Sequence, residues 1–191
     1  MVEKELPVRK NVRLKGYDYS STGAYFVTFC VKGGHELLGK IVGAGFHPRP
    51  LPTNPHQLPE ILHPYVELTD LGIAVQKSIE YIHAHTKNVE IPKHIVMPNH
   101  VHMLVVLGAG GSPQGAGGDG TPPLHSVMGR IKSYSVKPWN EDNASEHFSF
   151  WQRNYYDHII RDEAEYKRIW QYIDENPARW EEDCYYPKAN E

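Results

Sequence analysis

The order of apolar runs and turn signals predicts an α+β protein: a ferredoxin-like antiparallel β-sheet with helices packed on one face. Three observations predict it. Residues 24–31, 89–96 and 101–107 are dense in β-branched and aromatic residues and bounded by turn residues, as strands are. Residues 69–85, 122–136 and 162–175 instead carry apolar residues at helical spacing. In chain order these read strand, helix, strand, strand, helix, helix, with a possible last strand near Trp151.

Each element has its own local cause. Ala24 to Val31 is a run of strand formers that Gly33-Gly34 ends, and Leu37 to Val42 can form a short second strand or hairpin return. Six prolines between residues 43 and 64 exclude helix and central strand there and indicate an exposed loop. Val66 to Asp70 leads into the first helix, where Thr69 or Asp70 can cap and Leu71, Val75, Ile79 and Ile82 make the buried stripe. Met97-Pro98-Asn99 is a short turn, so the strands on either side of it should be antiparallel neighbours. Seven glycines between Gly108 and Gly120 mark a flexible insertion, with neither a phosphate-loop nor a dinucleotide signature. In the second helix Leu124, Val127, Met128, Ile131 and Tyr134 should face inward, with residues 138–149 irregular after it. Asp162 can cap the last helix and Pro177 should end it, since proline disfavours helix at the residue before it.

Composition sets bounds on function. With 191 residues, 40% of them hydrophobic, the chain can build one domain with a real core. No apolar run is long enough to span a bilayer, and Met1 to Pro7 lacks the apolar stretch of a signal peptide. A cytoplasmic protein without a membrane partner is therefore expected. Cys30 and Cys184 supply neither a disulfide framework nor a cysteine zinc site. The net charge of −3 argues against a broad non-specific nucleic-acid coat. Charge is uneven, however: residues 1–16, with Lys4, Arg9, Lys10, Arg13 and Lys15 against Glu3 and Glu5, sum to +3 and leave −6 on the rest. The organisation expected is a basic arm over 1–16, one domain over 17–180 with insertions at about 43–64 and 108–121, and a polar tail over 181–191. Such an arm can grip phosphates or simply be solvated.

The chemistry centres on His100 and His102. Residues two apart in a strand share a face, so the two imidazoles should project together while Val101, Met103 and Val105 face the other way. Two imidazoles on a rigid strand are most of a metal site, although histidine in a strand is more often a hydrogen-bonded structural residue. A third ligand and open positions are still needed. Near the C-terminus, Tyr172 and Asn176 lie four apart on one helix and so share a side. Asn176 offers an amide oxygen and Tyr172 a phenol able to act as a nucleophile. A tyrosine attacking phosphorus would store the bond as a phosphotyrosine and allow strand transfer, where water would only hydrolyse. Helix packing is the competing role for Tyr172, since twelve tyrosines share the chain.

Met97-Pro98-Asn99-His100-Val101-His102-Met103-Leu104 resembles the histidine motif of the single-tyrosine HUH transposases. Trp151 to Arg161 and Tyr172-Ile173-Asp174-Glu175-Asn176-Pro177 are similar to the C-terminal blocks of the REP-associated tyrosine transposases, and Arg13 to Phe29 to their N-terminal block. The resemblance implies an HUH domain that cleaves and rejoins single-stranded DNA beside palindromic hairpins. It implies that His100 and His102 bind Mg²⁺ or Mn²⁺, with Asn176 in the position of the third ligand. Tyr172 matches the nucleophile, which would form a 5′-phosphotyrosine and free a 3′-OH. Arg9, Lys10, Arg13, Lys15, Arg130, Lys132, Arg153 and Arg161 are then candidate DNA contacts. Tyr155, Tyr156 and Trp151 read as packing or base-stacking residues. Within that resemblance a monomer is favoured over a dimer.

Two other readings use the same residues differently. One is a non-catalytic, domesticated protein that binds DNA hairpins. The other is a zinc-dependent hydrolase of small substrates using His100, His102 and a carboxylate, which would need neither Tyr172 nor a basic arm.

Overall fold

The computed structural model describes residues 22–43, 63–108, 122–142 and 148–187. In chain order its elements are β1 (Gly23–Cys30), β2 (Gly39–Val42), β3 (Tyr65–Leu68), α1 (Asp70–His85), β4 (Val89–Val96), β5 (His100–Leu107), α2 (Leu124–Asp142), β6 (Tyr156–Ile160) and α3 (Glu163–Glu175). Four strands form one antiparallel sheet in the order β4-β5-β1-β6. With α1 and α2 as crossovers, this is the expected α+β, ferredoxin-like arrangement. The basic arm, the N-terminal part of the block at 13–29, and nearly all of both insertions lie outside the described residues.

One sheet face makes the core. Val101, Met103 and Val105 of β5 and Tyr25, Val27 and Phe29 of β1 pack with Val75, Ile79 and Ile82 of α1 and Leu124, Val127, Met128 and Ile131 of α2. Full burial of each such side chain contributes about 1.5–3 kcal/mol. Thr69 caps α1, its hydroxyl accepting from the Gly72 N–H at 3.2 Å and donating to the Leu37 carbonyl at 2.7 Å. Pro92 sits in β4, an edge strand, beside a register shift between Glu90 and Lys93, where a missing ladder donor is tolerated.

The opposite face carries α3. Three strands hold it there. Lys93 of β4 pairs with Asp174 and lies 5.1 Å over the Trp170 ring. Phe26 of β1 meets the Tyr172 ring edge-on at 6.0 Å. His158 of β6 contacts Glu165 at 2.8 Å. Asp162 caps α3 as expected, accepting from the Glu165 N–H at 2.8 Å.

Four expectations need correction. Tyr65–Leu68 is a strand, paired with β2 in a separate two-stranded ribbon, because its partner supplies the ladder that a lead-in segment lacks. Helix α2 continues through Pro138 to Asp142 where irregular chain was expected. Proline's fixed φ suits a helix, and the lost hydrogen bond is tolerated near its end; Asn140 pins this end through both side-chain atoms to the backbone of Phe148. Tyr134 is 41% exposed, turned outward against Tyr81, while Ser135 and Val136 take the inner positions. The last strand is Tyr156–Ile160, Trp151 making only a bridge to Val31, its indole bonded to Ser135 at 2.9 Å.

Candidate metal and tyrosine site

Strand β5 delivers both imidazoles as its alternation requires. His100 and His102 are 0% and 1% exposed on the α3 face, with their Nε2 atoms 2.9 Å apart. Each ring is held at its far nitrogen: His102 Nδ1 lies 2.8 Å from the Thr28 hydroxyl across the strand pair, and His100 Nδ1 lies 2.9 Å from Asn99 Oδ1. Phe26 stacks on His102, while Trp180 and Tyr185 flank His100.

Helix α3 brings the expected partners to this face. The Tyr172 hydroxyl is 3.2 Å from His102 Nε2. Asn176, one turn on, is 2% exposed; its Nδ2 donates to Asp183 Oδ2 at 2.9 Å. Tyr172, His100, His102 and Asn176 therefore meet in one place.

Asp183 is the residue sequence reasoning missed. The stretch after Trp180 read as a polar tail, but a 3₁₀ turn over Asn176–Glu182 carries Asp183 back against the imidazoles. Its carboxylate is buried and lies 3.9 Å from His102 Nε2. It accepts from the Tyr172 hydroxyl at 3.3 Å and from the Tyr185 N–H at 2.8 Å. No periodicity or spacing announces this residue, because its place depends on the turn after Pro177 and on long-range packing.

The electrostatics follow from burial. Burial pushes the imidazole of His100 well below its usual value, and the adjacent His102 adds to this. Burial lowers His102 too, against the pull of Asp183. Both rings are thus neutral at pH 7, the form that binds metal. Burial opposes the Asp183 charge, but the contacts from His102, the Tyr185 N–H and Asn176 hold its carboxyl well below the carboxylate range. Burial and the Asp183 charge push the Tyr172 phenol up.

The donor set fits a divalent cation. His100, His102 and Asp183 each offer a ligand atom, all within 4.8 Å of one another. The Asn176 amide oxygen is buried at the same place with no hydrogen-bond partner among the described residues. An unsatisfied buried oxygen beside neutral imidazoles and a carboxylate calls for positive charge. Two imidazoles and oxygen donors suit metals that keep open positions for substrate.

The other candidate cations are placed apart. Arg153 and Arg161 are exposed near β6, and Arg130 is exposed on α2, on the core side of the sheet. The Lys132 amine turns to the carbonyls of Gln152 and Asn154, at 2.9 and 3.1 Å, and burial pushes it down to about 8. Arg9, Lys10, Arg13 and Lys15 lie outside the described residues.

The sheet is ferredoxin-like, with the His-X-His pair on one strand and the tyrosine on a following helix, and a solved transposase shares this fold. The chain aligns over 84% of its length with a REP-associated tyrosine transposase solved bound to a REP hairpin, covering 69% of that chain at TM-score 0.51 and 18% identity. It has the fold of the REP-associated tyrosine transposases. A putative transposase from Deinococcus radiodurans overlaps at TM-score 0.40 and 16% identity, over 85% of this chain and 95% of that one. The chain belongs to the same family as an uncharacterized protein of Haemophilus influenzae, with 34% identity over 93% of each chain. No protein-family model matches.

Proposed function

We propose that the protein is a metal-dependent single-stranded DNA transposase or endonuclease that cleaves and rejoins DNA next to palindromic hairpins. The observation that carries this reading is the Tyr172 hydroxyl 3.2 Å from His102 Nε2, beside the unpartnered oxygen of Asn176. His100, His102 and Asn176 hold Mg²⁺ or Mn²⁺, with Asp183 at the same locus. When bound, the ion supplies positive charge to the oxygens of the scissile phosphate. Tyr172 Oη attacks phosphorus, the bond to the 3′ oxygen breaks, and a 5′-phosphotyrosine remains. The departing oxygen takes up a proton to become a 3′-OH, and the phenolic proton passes toward Asp183 Oδ2, which already accepts it at 3.3 Å. Attack by another 3′-OH on the phosphotyrosine rejoins the strand and releases Tyr172. The basic arm with Arg9, Lys10, Arg13 and Lys15, together with Arg130, Arg153 and Arg161, contacts the DNA, while Lys132 keeps its amine on the carbonyls of Gln152 and Asn154. The protein acts in the cytoplasm as a monomer.

A second reading is a non-catalytic hairpin-binding protein, in which Tyr172 serves only to pack against Phe26 and His102. A zinc-dependent hydrolase of small substrates would find its carboxylate in Asp183. One experiment separates all three: the protein with Mn²⁺ and end-labelled single-stranded hairpin DNA. A covalent adduct that Tyr172→Phe abolishes supports strand transfer. Binding without an adduct supports the second reading, and neither binding nor adduct leaves the third.

A further inference from the structure

The turn before β5 contributes more than a reversal of direction. Asn99 is 2% exposed and uses both side-chain atoms. Its Nδ2 donates to the Gly34 carbonyl at 3.1 Å and to the Tyr185 carbonyl at 2.8 Å. Those two acceptors settle which way the amide points, since the reversed amide would set its oxygen against two carbonyl oxygens. Oδ1 therefore faces His100 Nδ1, at 2.9 Å, and can only accept. His100 must carry its proton on Nδ1, which leaves a lone pair on Nε2. That lone pair points at His102 Nε2, 2.9 Å away.

His102 is held differently. Its Nδ1 meets the Thr28 hydroxyl at 2.8 Å, and a hydroxyl can either accept or donate. Two facing lone pairs at this distance would repel. Without a cation, His102 must carry its proton on Nε2 and donate it to His100, with Thr28 donating to Nδ1. With a cation between the rings, the His102 proton moves to Nδ1 and Thr28 accepts it.

We infer that Asn99 is a positioning residue that locks His100 in the Nδ1–H form with Nε2 ready to ligate, while Thr28 lets His102 exchange its proton between ring nitrogens as a divalent cation arrives. Asn99 also ties this lock to the chain end that presents Asp183, through the Tyr185 carbonyl. The role assigned to the cation rests on the metal-site reading above, but the metal-free protonation pattern does not. Partners of this kind fix the tautomer and orientation of ligating histidines, and their loss typically costs 10–100-fold in metal affinity.

The test is ¹⁵N NMR of the histidine side chains in the full chain at pH 7.5, before and after Mg²⁺, with Mn²⁺ affinity measured on the same proteins. His100 should show Nδ1–H in both states. His102 should show Nε2–H without metal and Nδ1–H with it. Asn99→Ala should release the His100 tautomer and weaken Mn²⁺ binding roughly 10–100-fold. Metal-free wild-type protein with the His100 proton on Nε2 would overturn the lock, with no recourse to any variant. If His100 shows Nδ1–H but Mg²⁺ shifts neither ring and Mn²⁺ does not bind, the lock stands, and the His102 exchange falls together with the metal reading.

Discussion

Tyr172 Oη and Asp183 Oδ2 stand 3.3 Å apart, joining the last helix to a chain end that no sequence pattern marked. This pair, with the imidazoles beside it, makes the C-terminal segment part of the site. Asp183→Asn keeps the shape but removes the charge, and is expected to lower Mn²⁺ affinity roughly 10–100-fold, the range for groups that support a metal centre. Calorimetric or electron-spin-resonance titration with Mn²⁺ measures it, and unchanged affinity would separate Asp183 from the cation.

Stability without metal should fall on mild acidification. His100 and His102 have folded pKa values below the unfolded value of about 6.5, so below that pH the unfolded chain binds protons that the fold refuses. The histidine contribution is full above about pH 6.5 and is lost as pH falls toward the lowered folded values. Asp183 acts in the same sense further down, its contribution full above about pH 4 and lost below. Thermal unfolding in chelator should show Tm dropping from pH 7 to pH 5. A double His100→Asn, His102→Asn variant should show a flatter slope, and equal slopes would exclude the histidines as the cause.

Gly72 should resist substitution where Gly129 does not. A Cβ on Gly72 would lie 2.0 Å from the Leu38 carbonyl oxygen, a backbone atom that Thr69 N–H also holds. Gly72→Ala is expected to cost about 1–3 kcal/mol through overpacking. A Cβ on Gly129 would meet nothing within 4 Å on an exposed part of α2. Gly129→Ala should therefore stabilise by about 0.5–1 kcal/mol. Denaturant unfolding of the two variants gives opposite signs if the packing is as described.

Removing the arm tests its role in DNA binding. A chain without residues 1–15 should bind hairpin DNA more weakly, and the salt dependence should flatten by about 0.7 in logarithmic slope for each single-strand phosphate no longer neutralised. Affinity measured across a salt series reports both. An unchanged slope would leave Arg9, Lys10, Arg13 and Lys15 as solvated charges.

His100→Ala should abolish adduct formation while leaving hairpin affinity within about twofold, because the imidazole serves the scissile phosphate and the bulk of affinity comes from backbone contacts. Parallel binding and cleavage assays measure this, and retained cleavage would remove the metal assignment.

By itself the sequence determined whatever depends on neighbours along the chain. Period-two alternation put His100 and His102 on one face with Val101, Met103 and Val105 on the other; helical spacing buried Val75, Ile79 and Ile82; Thr69 and Asp162 capped their helices; four-residue spacing joined Tyr172 to Asn176. The tertiary structure alone decided that α3 crosses the imidazole face, that Asp183 completes the cluster, and that Tyr134 turns outward. The reason is one of range. Alternation and helical period are set by the geometry of successive residues, whereas the position of α3 rests on contacts such as Lys93 with Asp174 and Phe26 with Tyr172, between residues far apart in the chain and on different elements.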